Sequence, residues 1–137
     1  MRDLVGKADV VMSNFKPGTL TSLGLDYPVL SELNAGIVMT ESSAYGATGP
    51  WRGRPGYGPL VRASSGLTAQ WSYPDTQGEF SDAMTVYPDH VSGRFGAIAA
   101  LALLVRRLRS GKGGEASLSQ GEAIVGHLGD QLSLIHI

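Results

Sequence analysis

Short apolar runs alternate with mixed stretches along the first part of the chain. The runs Ala8–Ser13 (ADVVMS) and Gly36–Thr40 (GIVMT) are apolar and rich in β-branched residues, which predicts two buried strands. Between them we predict a short helix that starts at Pro17 and ends at Gly24, and another over Tyr27–Leu33. Strand, helices and strand over this length are typical of a parallel sheet covered by helices, so we expect an α/β fold.

Glycine and proline punctuate the middle of the chain. The segments 41–58 and 70–88 are therefore predicted loops, and Pro59–Leu67 between them is a candidate helix. A loop that leaves the carboxyl end of a parallel strand is where α/β proteins tend to bind ligands. We expect the segment 41–58 to contribute to such a site.

The longest apolar stretch predicts a helix from about Asp89 to Arg109. Apolar residues recur at three- and four-residue steps and also fill the other faces, so we expect burial nearly all round: Val91, Phe95, Ile98, Ala99, Leu101, Ala102, Leu103 and Val105. Arginines at its carboxyl end suit the helix dipole, and Gly111 is a natural terminator. Beyond it, Gly114–Ser119 alternates like an edge or half-buried strand, and Gln120–Gln131 predicts a helix.

Asp89 stands at the predicted start of the long helix, where a carboxylate accepts free backbone N–H groups. Position alone favours an N-cap, and a catalytic carboxylate in the first turn is the alternative. His90 is interpreted as a surface or first-turn residue. The Arg-Ser-Gly-Lys-Gly end of the helix lacks the spacing of a phosphate-binding P-loop, so it is interpreted as helix termination and a turn into the next strand.

Composition narrows the function classes. The 137 residues are 42% hydrophobic and 17% charged, which indicates one globular domain or a piece of a larger one. A net charge of −1 argues against nucleic acid or an anionic membrane surface as a partner, and the longest apolar run, Ala97–Val105, is too short to span a membrane. The absence of cysteine excludes thiolate chemistry and fits a cytoplasmic location. The three histidines show no metal-ligand spacing, so no metal is expected.

Several blocks together resemble the family III CoA transferases (the CaiB/BaiF group). This family includes formyl-CoA transferase, the carnitine and bile-acid CoA transferases, and the related α-methylacyl-CoA racemases. The blocks are residues 8–38, residues 43–57 (SAYGATGPWRGRPGY), residues 63–67, the Asp89 helix, and residues 107–123 (RLRSGKGGEASLSQGEA). The resemblance covers nearly the whole chain. It implies that residues 1–131 are part of a Rossmann-like parallel-sheet large domain, truncated at both ends, whose parent is an interlocked homodimer.

The resemblance also implies a reaction in which Asp89 matches the family's catalytic aspartate. The carboxylate attacks the thioester of an acyl-CoA to form a mixed anhydride, and the released CoA thiolate then attacks Asp89 to give an aspartyl-CoA thioester. An incoming carboxylic acid takes over the CoA. This is nucleophilic covalent catalysis. The partners would be an acyl-CoA and a carboxylic acid, with the CoA thioester as a substrate and no permanently bound cofactor.

Two segments match the family's CoA-binding elements. In the turn Asn14, Phe15 and Lys16, the lysine would meet a phosphate and the phenylalanine would pack near the adenine. The alternative is a turn at Asn14, with Phe15 in the core and Lys16 solvated. The second segment comprises Pro55, Gly56, Tyr57 and Gly58. Its glycines let a backbone approach a ligand closely, although any loop uses such residues.

The chain departs from the family pattern at two places. Formyl-CoA transferase has a basic residue at the position of Ser22, which leaves one phosphate contact missing or supplied differently. The racemases have a His-Asp pair where this chain has Tyr57 and Gly58, and without that histidine one acid/base group for proton transfer is missing. This second departure favours a transferase over a racemase. A 2-methylacyl-CoA racemase or epimerase and a catalytically inert fragment remain the alternatives.

The last six residues, LSLIHI (132–137), resemble the translated end of a transposase-based sequencing adapter. We expect them to be a non-native tail, and the alternative is an ordinary apolar helix end.

Overall fold

Helices and strands alternate along the chain in this computed structural model, which describes residues 1–76, 78–80 and 86–133. The elements are α1 (Arg2–Val5), β1 (Val10–Ser13), α2 (Thr19–Ser22), α3 (Tyr27–Leu33), β2 (Val38–Ser43), α4 (Gly58–Ser64), α5 (Leu67–Gln70), α6 (Tyr87–Ser110), β3 (Gly114–Ser119), α7 (Gln120–His127) and α8 (Gly129–Ser133).

The predicted parallel sheet is confirmed. The three strands run parallel in the order β1-β2-β3, with Val38 of β2 opposite Gly114 of β3. β2 continues to Ser43, past the predicted end at Thr40, because Ser43 pairs with Ser119 at the end of β3. The sheet therefore carries polar side chains at the carboxyl ends of its strands.

Helix α3 and strand β3 have the predicted bounds, whereas three other predicted helices begin or divide at different residues. α2 begins at Thr19 instead of Pro17, because Gly18 precedes it in a left-handed conformation with φ of 85°. The helix predicted over 59–67 is divided into α4 and α5 by Gly66, whose φ is 86°. The last predicted helix is also divided, at Leu128 between α7 and α8.

Helices cover both faces of the sheet. On one face, Leu20 and Leu30 pack with Met39 of β2 in a buried cluster that also holds Val5 and Ile37. On the other face, α6 packs on β2 and β3, and a second cluster joins Leu67, Val91 and Ile124. Since side chains alternate along a strand, β2 sends Met39 to the first cluster and Thr40 to a cavity beside α6.

The expectation that α6 is buried nearly all round is wrong. Its buried residues are small ones at four-residue steps, Ser92, Gly96 and Ala100, together with Pro88 and Val91. This narrow stripe lets the helix lie close to the sheet, and a side chain added at Gly96 would stand 3.5 Å from Cε of Met12.

Several of the larger apolar residues of α6 stay exposed in the described part of the chain. They are exposed by 43% at Phe95, 60% at Ile98, 62% at Leu101, 51% at Val105 and 85% at Leu108. The periodicity identified the helix correctly but not its buried side, because small residues rather than large ones meet the sheet.

The carboxyl end of α6 is tied to the start of β2. Nη1 of Arg107 donates to the carbonyl oxygen of Gly36 at 2.9 Å, and its Nη2 lies 2.8 Å from Oδ1 of Asp9. Gly111 ends the helix with φ of 71°. Gly113 then lies so close to the backbone of Ile37 that a Cβ at Gly113 would collide with the Ile37 carbonyl oxygen. This segment is the helix stop and strand entry that the sequence predicted.

In the described ranges, no helix is long and apolar enough to cross a membrane.

Some predictions fall on residues outside this description. Residues 132 and 133 belong to the end of α8, whereas 134–137 of the suspected tail lie outside the described residues, as do 77 and 81–85 of the predicted loop. The division of the chain at residue 131 stays a prediction.

Candidate active site

A cavity of about 250 Å³ opens at the carboxyl ends of β1 and β2, beside the first turns of α6. It is lined by Met12, Ser13, Asn14, Thr40, Ser42, Asp89, Ser92, Gly93, Gly96 and Gln120. The location is the one at which parallel α/β sheets place ligands. β1, β2, α6 and the start of α7 all contribute, so the lining depends on the whole fold.

Asp89 is the third residue of α6 and is not its N-cap, so the capping interpretation is wrong. Val86 holds the cap position, and the backbone N–H of Asp89 donates to the Val86 carbonyl at 2.9 Å. The helix begins at Tyr87, with Pro88 in its first turn, which proline tolerates. Asp89 is therefore an internal residue of the first turn, and it lines the cavity.

The two oxygens of the Asp89 carboxylate have different surroundings. Oδ1 accepts a hydrogen bond of 3.1 Å from Nε2 of Gln120, whereas Oδ2 is buried and has no hydrogen-bond partner within the described structure. One oxygen is held, and the other packs against Gly58 without a hydrogen bond. A nucleophilic carboxylate needs this arrangement, since the reacting oxygen must be free and oriented.

Other polar atoms around the cavity are also buried without a protein partner. They are Oγ of Ser42, Oγ of Ser92 and Oε1 of Gln120, so with Oδ2 of Asp89 the cavity holds four of the five such atoms found in the described residues. Buried polar atoms are normally hydrogen-bonded, and exceptions concentrated in one place indicate a functional site. The cavity offers hydrogen bonds to a polar ligand.

Gly58 closes the site from the side of α4. It is buried, and a Cβ added there would collide with Oδ2 of Asp89 and lie 3.0 Å from Cα of Val86. The sequence placed Gly58 in a CoA-contacting loop, and the structure places its backbone against the candidate nucleophile. Its neighbour Tyr57 is 69% exposed and lines neither this cavity nor the next one.

The other predicted binding residues meet at a second cavity, of about 160 Å³. Asn14, Phe15 and Lys16 from the turn after β1 line it together with Pro55 and Gly56. These segments are far apart in sequence, and the fold brings them together. Phe15 is 54% exposed, so its alternative placement in the core is wrong. Asn14 lines both cavities, which makes them neighbours.

Two arginines at the second cavity were missed by the sequence analysis. Arg52 and Arg54 line it opposite Lys16, and the guanidinium of Arg54 lies 4.7 Å from the ring centroid of Trp51. Three cations around one small cavity suit a phosphate-bearing ligand. The available signal was the Arg-Gly-Arg stretch directly before Pro55, within a loop already expected to contribute to a site.

A third cavity, of about 310 Å³, contains none of the predicted site residues. Its walls include Tyr45, Trp51, Ser119, Glu122 and Val125. Tyr45 and Trp51 meet edge to face there, with ring centroids 5.4 Å apart. Its lining residues have no buried polar side-chain atom that lacks a hydrogen-bond partner, whereas those of the cavity at Asp89 have four.

Glu41 has a raised pKa, and it lies away from Asp89. Burial raises the pKa of Glu41 above its ordinary value of 4.5, and the nearby carboxylates of Glu115 and Asp26 raise it further. Strand alternation places Glu41 on the Met39 side of β2, opposite the side that lines the cavity. Within the described ranges, no three His, Asp or Glu side chains are grouped to hold a metal ion.

Comparison with known proteins gives consistent matches. Residues 1–134 match the family model described as CoA-transferase family III. A probable CoA-transferase of Mycobacterium tuberculosis, Rv1866, is 51% identical over 130 residues, which are 91% of this chain and 16% of that protein. The alpha subunit of succinyl-CoA–L-malate CoA-transferase from Chloroflexus aurantiacus is 38% identical over 112 residues, which are 80% of this chain and 26% of that protein.

A solved structure matches as well. The crystal structure of a CaiB/BaiF family protein from Brucella suis aligns with a TM-score of 0.85 and 30% identity, over 96% of this chain and 34% of that one. The chain thus spans about a third or less of the relatives described here. Because the family model matches nearly every residue, the chain belongs to CoA-transferase family III.

Proposed function

We propose that the protein transfers CoA from an acyl-CoA to a carboxylic acid, with Asp89 as the covalent nucleophile. The observation that carries this proposal is the asymmetry of the Asp89 carboxylate. Oδ1 is held by Gln120, while Oδ2 is buried against Gly58 without a hydrogen-bond partner, and Asp89 itself lines a cavity rich in polar side chains. The family membership supplies CoA transfer in general, the resemblance implies the role of Asp89, and this geometry supports that role.

The chemistry proceeds through bonds made and broken at Asp89. Its carboxylate oxygen attacks the thioester carbonyl, and the CoA thiolate leaves, so a mixed anhydride forms. The thiolate then attacks the Asp89 carbonyl carbon, which releases the donor acid and leaves an aspartyl-CoA thioester. The acceptor carboxylate attacks that thioester, so the CoA thiolate leaves and a second mixed anhydride forms. The thiolate then attacks the acceptor's acyl carbon, which gives the new acyl-CoA and releases free Asp89. Each step exchanges one leaving group, so no external base or oxidant is needed.

The second cavity is the proposed site for the phosphate-bearing end of CoA. Lys16, Arg52 and Arg54 provide the cations, and the exposed ring of Phe15 provides a surface for the adenine. Arg52 and Arg54 also offer a source for the contact that Ser22 does not provide. Asn14 lines both cavities, so a CoA thioester bound in one extends toward Asp89 in the other.

The racemase alternative has less support in this geometry. Gly58 takes the place of an aspartate in the racemase pattern, and its backbone leaves no room for a side chain beside Oδ2 of Asp89. Tyr57, in the place of the histidine, is exposed and lies away from the cavity lining. Deuterium wash-in to a 2-methylacyl-CoA tests this alternative, and we expect no exchange.

The test uses the complete gene product with a panel of acyl-CoA donors and carboxylic acids. Succinyl-CoA and L-malate are the first pair, because the Chloroflexus relative is named for them. We expect Asp89→Asn to abolish transfer, since the amide is a poor nucleophile of nearly the same shape, while CoA binding persists. Full transfer by Asp89→Asn would remove the proposed mechanism. Thermal-shift titration of the 137-residue chain with CoA tests whether this chain alone binds, and stabilisation would argue against an inert fragment.

A further inference from the structure

Gln120 lies at a rigid junction between β3 and α7. Ser119 caps α7 by accepting a hydrogen bond of 3.2 Å from the Glu122 backbone N–H, in a capping arrangement that fixes the helix start. The backbone N–H of Gly121 donates to the Ala44 carbonyl at 2.9 Å, which ties the same junction to the end of β2. The backbone of Gln120 is therefore held on both sides.

The side chain of Gln120 reaches from this junction to Asp89. Gln120 is 6% exposed, and its Nε2 donates to Oδ1 of Asp89 at 3.1 Å. An ionised carboxylate only accepts hydrogen bonds, so its presence sets the orientation of the amide. Pro88 and Ser92, on either side of Asp89 along α6, are buried, which limits the movement of the helix at this point.

We propose that Gln120 is a positioning residue that holds Oδ1 of Asp89 and leaves Oδ2 free of hydrogen bonds to react. This inference rests on the proposed role of Asp89. A hydrogen bond to a charged group fixes its rotamer, and nucleophilic attack needs a reacting oxygen that is held in a defined orientation. Nothing in the sequence motifs singled out Gln120, because its contact joins the start of α7 to the start of α6.

The main test replaces Gln120 with methionine, which has a similar volume and no N–H donor. In the transfer assay with the donor panel, we expect Gln120→Met to lower kcat by about 10- to 100-fold, the range that a hydrogen bond to a charged group supplies. We expect KM for the acyl-CoA to change by less than about 3-fold, since the second cavity is untouched. Gln70→Met, at an exposed position of α5, is the matched control and should behave as wild type.

A second variant supplies a readout that a purely structural role would not move. In Gln120→Glu the introduced carboxyl donates to Oδ1 only while it is protonated, so activity should fall as pH rises and that carboxyl ionises. Asp89 is the only titratable side chain among the lining residues from β1, β2, α6 and α7, and α4 meets it through Gly58. We therefore expect the activity of Gln120→Glu to fall as pH rises and the introduced carboxyl ionises, a change in activity that the wild type does not show.

The outcomes separate this inference from the proposed function. Loss of transfer in Asp89→Asn together with wild-type kcat in Gln120→Met would overturn the role of Gln120 and leave the function intact. Transfer by Asp89→Asn, or no transfer by the wild type with any donor of the panel, would remove the function and this inference with it. If Gln120→Met does not fold, Gln120→Glu decides: a wild-type pH profile would overturn the proposal.

Discussion

The contact between Gly58 and Asp89 predicts that alanine at position 58 damages both stability and activity. The added Cβ would collide with Oδ2 of Asp89 and would lie 3.0 Å from Cα and 3.1 Å from Cβ of Val86. Gly58 does not have a positive φ, so the backbone accepts alanine and the effect is steric. Overpacking costs about 1–3 kcal/mol, and better helix propensity offsets about 1 kcal/mol, so the free energy of unfolding should fall by up to about 2 kcal/mol.

The effect on activity should be larger than the effect on stability. Moving the carboxylate by about 1 Å can cost about 100-fold in rate, so kcat/KM of Gly58→Ala should fall by about that factor. Urea denaturation and the transfer assay measure the two effects. Gly126→Ala is the control, because a Cβ at this exposed position of α7 would meet nothing within 4 Å. The control should gain up to about 1 kcal/mol. Wild-type stability and kcat/KM in Gly58→Ala would refute the contact.

Three further predictions concern charge and packing. Burial raises the pKa of Glu41 from 4.5, so the native state favours its protonated form, and the stability this supplies is lost as pH rises through the raised pKa. Glu41→Gln should therefore raise Tm at neutral pH and have no effect below pH 4.5, and an unchanged Tm at neutral pH would contradict this. Lys16→Ala and Arg52→Ala should each raise KM for the acyl-CoA and leave kcat nearly unchanged, and an unchanged KM would exclude them from the CoA site. Ile124→Ala should lower the free energy of unfolding by about 2–5 kcal/mol in urea titration, because Ile124 is 0% exposed; a loss below about 1 kcal/mol would mean that the second cluster is poorly packed.

Elements with strong local signals were predictable from the sequence. The helix Tyr27–Leu33 carries a proline at its start and two leucines on one face. The strand Gly114–Ser119 shows an alternating polar and apolar pattern that begins after a glycine-rich turn and ends at a capping serine. The predicted bounds of both elements match the structure. The sequence also singled out two segments, Asn14–Lys16 and Pro55–Gly58. The fold brings the first of them together with Pro55 and Gly56 at one cavity, and the role of both segments in CoA binding stays a prediction.

The remaining features depend on contacts between distant segments. The start of α6 at Tyr87, with Val86 as its cap, made Asp89 an internal residue of the first turn, although the sequence favoured it as a cap. The buried side of α6 could not be read from hydrophobicity, because small residues such as Gly96 determine how closely the helix approaches the sheet. Gln120 and Arg52 gain their significance only when the fold brings them to Asp89 and Lys16.

The central claim is that Asp89 becomes covalently acylated during CoA transfer. The most direct measurement is to incubate the complete gene product with each donor acyl-CoA, add hydroxylamine, and map the modified residue by peptide mass spectrometry. Hydroxylamine attacks an aspartyl thioester or anhydride at its carbonyl carbon and leaves a hydroxamate on that aspartate. The account predicts a hydroxamate on Asp89 that depends on the acyl-CoA and is absent from Asp89→Asn. Efficient transfer without modification of Asp89, or with the modification on another residue, would contradict it.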